Sequence, residues 1–151
     1  MRQAEPVAHD LQEAVGYVLK QAANALRSAM DTALRPLELT VPQYACLELL
    51  LRHPGLSNAE LARGAFVTRQ SMNGVLRGLQ ERGLVTRPAT APRGRALPTQ
   101  LTSTGQRHLR AASVAVRAIE QQMLAPLLPA QQHRLRDDLA ACAAALSPAG
   151  N

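Results

Sequence analysis

A chain of 151 residues is long enough to bury one proper core and too short for two independent domains. Hydrophobic residues make up 46% but aromatics only 2%, so the core must be built from Leu, Val and Ala, which suits helices packed on helices. The formal charge of +6 points to an anionic partner, while two distant cysteines, Cys46 and Cys142, with no C-x-x-C pair exclude a disulfide-stapled scaffold.

The stretch Met1 to Asp10 is polar, and no apolar run reaches membrane-spanning length, so a cytoplasmic protein is expected. From Asp10 to Leu34 the apolar residues recur at steps of three and four, including Leu11, Val15, Leu19 and Leu26, which predicts one long amphipathic helix. Such a rod spans about 37 Å and reaches beyond its own lobe. Pro36 ends it. Thr40 or Val41 near the cap, with Pro42 in the first turn, opens a second helix carrying Tyr44, Leu47, Leu50 and Leu51 and stopping at Pro54-Gly55. Ser57-Asn58-Ala59-Glu60 is a capping box for a short third helix with Leu61 and Ala62 turned inward. Thr68 caps a fourth helix running to about Arg82 and closed by Gly83.

Leu84 to Pro88 and Ala96 to Leu101 read as two short strands around a Pro- and Gly-bearing loop, with Pro98 acceptable at an edge or bulge. Thr102 or Ser103 then starts a long helix broken at Pro126 and Pro129. A last helix over about 130–146 is expected to bury Leu135, Leu139, Cys142, Ala143 and Leu146. The predicted fold is mainly α with a small β-hairpin wing. It combines a winged helix-turn-helix lobe over 40–102 with long helical segments over 10–36 and 103–147, all within a single unit.

Charge is distributed unevenly. Between Arg52 and Arg95 there are eight arginines and two glutamates, while the rest of the chain carries nine basic and nine acidic residues. The whole net charge therefore sits in the middle third. On the Thr68 helix, Met72, Val75, Leu76 and Leu79 form an apolar stripe, and the opposite side presents Gln70, Asn73, Gly74, Arg77 and Glu81. Amide side chains match adenine and guanidinium matches guanine in the major groove, so Gln70, Asn73 and Arg77 are the candidate base readers. Arg69 is better placed for a phosphate, Ser71 for the capping turn, and the free N–H groups at the Thr68 end offer a further phosphate site. Gly74 would permit close approach to a duplex, and Gly78 is explained by tight helix packing. In the hairpin, Arg87 and Arg93 are expected on phosphates and Arg95 in the minor groove. Base reading also competes with plain solvation at Gln70 and Asn73, and the wing arginines with a solvated basic loop.

An enzyme is not expected. His9, His53, His108 and His133 are scattered without metal-ligand spacing, and no nucleophile elbow, phosphate-binding Gly loop or H-E-x-x-H motif occurs, so neither a metal nor a cofactor is expected.

The ordered segments Ala59-Glu60-Leu61-Ala62, Val67-Thr68-Arg69-Gln70-Ser71, Leu79-Gln80-Glu81-Arg82-Gly83-Leu84-Val85, Arg95-Ala96-Leu97 and Leu101-Thr102-Ser103-Thr104-Gly105 resemble the multiple-antibiotic-resistance regulator (MarR) family. The resemblance implies a homodimer that binds a pseudo-palindromic operator in double-stranded DNA and represses transcription until a small aromatic or anionic effector releases it. It implies a dimer interface including Leu11, Val15, Leu135, Leu139 and Cys142, and an effector pocket near Tyr17, Lys20, Tyr44, Cys46 and Leu47. Two departures stand out. Family wings usually carry Asp two residues before the inserted Arg, where this chain has Arg93 before Arg95. Phe66 stands where the family commonly has Gly, either in a remodelled turn or as a plug of the core. Two other readings stay open at this point: a winged helix that binds protein rather than specific DNA, and a regulator that senses oxidants through Cys46.

Overall fold

The computed structural model describes residues 13–88 and 98–148. Helix α1, Val15–Leu34, continues past its expected end into a 3₁₀ turn, Arg35–Leu37, because Pro36 fits an N-terminal turn position where no N–H is required. Glu38 then adopts a left-handed conformation, φ +57°, which turns the chain toward α2, Val41–Arg52. The predicted Ser57 capping box forms, and a second one, not foreseen, forms at Thr40. Thr40 and Gln43 close the start of α2, and Ser57 and Glu60 close the start of α3, Asn58–Gly64. The Thr68 hydroxyl accepts from the Ser71 N–H at 3.0 Å and starts α4, Arg69–Glu81.

The strands are shorter than expected. Strand β1, Val85–Thr86, pairs antiparallel with β2, Gln100–Leu101, with Val85 opposite Leu101 and Thr86 opposite Gln100. Pro98 lies outside the ladder, where its missing N–H costs nothing. Thr99 next to it has its N–H on Leu56 O at 3.2 Å and its carbonyl on Gly55 N–H at 3.0 Å, which stitches the wing's return arm to the α2–α3 loop.

Helix α5, Ser103–Leu124, lies along α1 and also packs on α2. One core joins the elements: Leu34, Cys46, Leu47, Leu50, Leu61, Met72, Leu76, Leu79, Leu84 and Leu109 are all buried. Gly105 is obligatory here, since a Cβ at that position would collide with the Leu84 carbonyl. Gly78 is roomier than tight packing predicts. A Cβ there would meet only Gln43 Nε2 at 3.5 Å, an ordinary contact, so close helix packing does not account for that glycine.

Helix α6, Pro129–Leu146, corrects another expectation. Within this chain it buries none of its residues, and Leu135, Leu139, Cys142, Ala143 and Leu146 are exposed. Its amphipathic pattern predicts burial without saying against what, and the family resemblance places Leu135, Leu139 and Cys142 at a dimer interface; within this chain no core element lies against it. The α5–α6 corner is nevertheless fixed, because Gln132 Nε2 donates to Leu124 O and Leu127 O, each at 3.1 Å.

Candidate nucleic-acid interface

The helix pair α3–α4 is joined by a turn that the backbone defines closely. Val67 N–H donates to Ala62 O at 3.0 Å, and Phe66 N–H to Arg63 O at 3.3 Å. Phe66 takes φ +58° and is 94% exposed, so the turn is remodelled and the ring does not plug the core. Helix α4 buries Met72, Leu76 and Leu79 completely, as the stripe predicts, and Val75 partly. Arg69, Gln70, Ser71, Asn73, Gly74 and Arg77 remain exposed along its outer side. A Cβ at Gly74 would meet nothing within 4 Å, so the fold itself does not require glycine there.

Two outer-face residues are engaged locally. The Thr68 hydroxyl donates to Ser71 Oγ at 3.0 Å, which draws Ser71 into the cap. Asn58 Nδ2, at the start of α3, donates to Asn73 Oδ1, while the Asn58 carbonyl oxygen is buried without a hydrogen-bond partner. Bidentate pairing with adenine requires both the oxygen and the nitrogen of the amide. In this arrangement one of the two acceptor positions of Asn73 Oδ1 is already taken, while its N–H₂ stays open. Sequence reasoning passed over Asn58, because its neighbours already accounted for it as the first residue after a capping box.

Around the lobe, Arg82 donates to the Glu38 carbonyl and ties the end of α4 to the loop before α2, so its charge serves an internal contact. Arg87 was expected to point at a phosphate. It is half-buried at the base of the wing with its Nε enclosed and unpartnered. Its charge acts on the Cys46 thiol, which burial pushes up from 9.0 to about 12 against that opposing influence. A thiol so protonated, at 0% exposure, is neither nucleophilic nor accessible, which counts against redox sensing at Cys46. Arg93 and Arg95 lie outside the described residues, as does Leu11.

Between α2 and α5 lies a cavity of about 680 Å³. Tyr44, Arg52, Arg110 and Arg117 contribute polar groups to its wall, and Leu51, Leu109 and Val116 contribute apolar ones. Burial raises the Tyr44 phenol, with Glu48 adding to the effect and the Ser113 hydrogen bond and two arginines opposing it. Of the five residues placed in an effector pocket from sequence, Tyr44 lines this cavity. Cys46 and Leu47 are core residues, and Tyr17 and Lys20 lie on the exposed surface of α1.

A family model described as the MarR family matches residues 37–96. Over 122 residues the chain is 45% identical to the HTH-type transcriptional repressor Rv2887 of Mycobacterium tuberculosis, covering 81% of this chain and 88% of that protein. The chain belongs to the MarR family. A crystal structure of Rv2887 in complex with salicylic acid shares 43% identity, covers 90% of this chain and 99% of its own, and superposes with a TM-score of 0.74. Another, of Rv2887 in complex with DNA, shares 40% identity over 85% of this chain and 97% of its own, with a TM-score of 0.73. A probable transcriptional regulator from Pseudomonas aeruginosa shares 31% identity over 88% of this chain and 99% of its own, with a TM-score of 0.77. The MarR membership makes the chain a winged helix-turn-helix, DNA-binding transcriptional regulator and not an enzyme. Among the described residues no helix is long and apolar enough to cross a membrane, and no three His, Cys, Asp or Glu side chains gather to hold a metal.

Proposed function

We propose that this MarR protein is a homodimeric repressor that reads a pseudo-palindromic operator and leaves it when a small aromatic anion binds. The observation that carries the reading is α4: a Thr68-capped helix with a fully buried apolar side and an exposed side bearing Gln70 and Arg77. It stands in the segment that holds the chain's entire net charge of +6. Gln70 and Arg77 read bases, and Asn73 contributes its open N–H₂. Arg69, Thr68 and the free backbone N–H groups of the first turn hold phosphates. Residues 40–102 form the DNA lobe, with Arg93 and Arg95 at its wing. Residues 10–36 and 103–147 form the dimerisation region, where Leu11, Val15, Leu135, Leu139 and Cys142 face a second copy.

The effector site is the α2–α5 cavity, which lies where the dimerisation region meets the DNA lobe. Rv2887 has been crystallised with salicylic acid and with p-aminosalicylic acid. An aromatic carboxylate suits this cavity because Arg52, Arg110 and Arg117 outnumber the Glu48 and Glu120 carboxylates in its wall, with Tyr44 adding a hydroxyl and Leu109 and Val116 an apolar side. Arg77→Ala tests the reading. On a duplex that the parent protein enriches from a random pool it should cost roughly 1–3 kcal/mol, with a much smaller loss on random duplex. Equal losses on both would make Arg77 a backbone contact and remove the basis for sequence reading by this helix. Salicylate should weaken binding of the enriched duplex by the parent; undiminished binding at saturating salicylate would overturn the effector assignment.

A further inference from the structure

Phe66 joins two features that the fold alone does not reward. Its φ of +58° lies in the left-handed region that favours Gly or Asn, and its ring is 94% exposed. The ring packs on nothing in the core, and a glycine would occupy the turn with less strain. The turn is rigidly set all the same, by the Phe66 and Val67 N–H bonds back into α3 and by Gly64, where a Cβ would crowd the Leu49 side chain. The direction in which the Phe66 Cα–Cβ bond leaves the surface is therefore fixed.

That direction matters because of what surrounds it. Phe66 stands two residues before the Thr68 cap. It is flanked by exposed Arg63 and Arg69, neither of which forms an ion pair among the described residues. No acidic residue occurs from Leu61 to Gln80. An isolated apolar ring flanked by two arginines, with Glu60 one turn before Arg63 as the nearest acidic residue in sequence, and continuous with the outer side of α4, fits a polyanion that also carries an apolar group. Duplex DNA has one in the major groove, the 5-methyl of thymine, and the start of a recognition helix is the part brought to the base edges.

We propose that Phe66 is a specificity-determining residue that packs its ring on a thymine methyl at the margin of the major groove, while Arg63 and Arg69 take the flanking phosphates. The proposal rests on α4 being the recognition helix. Its test uses the duplex that the parent protein enriches from a random pool, and the same duplex with thymines replaced singly by deoxyuridine, which removes only the methyl. Replacement at one thymine of each half-site should weaken the parent about fourfold per contact, the worth of one buried methyl. Phe66→Gly should weaken binding by about tenfold on the unmodified duplex and abolish the deoxyuridine penalty at that position. Its melting temperature should be no lower than the parent's, because the turn is relieved of strain. Phe66→Asn, which also tolerates this backbone conformation, should behave as Phe66→Gly does.

Parental affinity in both variants, or a deoxyuridine penalty that survives in them, would overturn the role of Phe66. If Arg77→Ala still discriminates between enriched and random duplex losses, the recognition-helix reading stands without it. If the parent enriches no sequence at all, both fall together.

Discussion

Asn73 sits on the outer side of α4 with its side-chain oxygen accepting from Asn58, so pairing with adenine through both amide atoms would have to share that oxygen with Asn58. A side chain's type was legible in the sequence at this position, but its partner 15 residues away was not. Cys46 shows the same limit from the other side. An apolar-helix cysteine reads as core, and it is, but the influence of Arg87 on it comes from a contact between α2 and the wing base that no local pattern encodes. The folded thiol stays protonated to about 12, whereas in the unfolded chain it ionises around 9.0. The unfolded state therefore releases its proton first, and stability should fall as pH rises from 9 toward 12. Denaturant titrations across that range should show the decline, and Cys46→Ala should flatten part of it. A decline of the same size in the variant would show that the thiol does not titrate differently on unfolding. At neutral pH a thiol reagent should reach Cys46 only after unfolding.

At the scale of elements, starts were more legible than junctions. Thr40, Ser57 and Thr68 were recognisable as caps because a capping hydroxyl and the N–H it accepts from lie three residues apart, within one turn of chain. Thr68→Ala should accordingly cost about 1 kcal/mol of stability. The junction of α4, β1 and α5 is different. Gly83 turns the chain at φ +69°, and Thr102 Oγ1 donates to Gly83 O at 2.7 Å while accepting from Gly105 N–H at 3.0 Å. Gly105 then lets α5 lie against the Leu84 carbonyl. These residues carry much of the family resemblance, yet their spacing alone does not say that they meet. Gly105→Ala should destabilise by about 2–3 kcal/mol, because backbone rather than a flexible side chain must move. Urea unfolding checks it, and a loss below that of Thr68→Ala would mean that α5 can shift away from β1 cheaply.

Over the whole molecule, most of the exposed large apolar side chains lie outside the DNA lobe, within which Phe66 and Leu51 are the exposed ones among the described residues. Val15, Val18 and Leu19 on α1 and Leu135, Leu139 and Leu146 on α6 all face solvent in the single chain. Periodicity announced that these helices have an apolar side, but it could not say whether that side is covered by the same chain or by another. Exposed apolar area on two helices that bracket the sequence is what a second copy would cover. Leu139→Asp, alone or with Leu135→Asp, should shift the protein to monomer in sedimentation and weaken operator binding, since the two half-sites are no longer held together. A variant that remains dimeric with full affinity would place the interface elsewhere.

The most direct test of a two-fold regulator reading DNA through α4 is a footprint of the purified protein on the DNA flanking its own gene, in moderate salt with excess competitor. Protection of two inverted half-sites about one helical turn apart is the predicted result. Uniform weak protection that disappears with salt would contradict it, leaving a basic surface that binds phosphates without reading sequence.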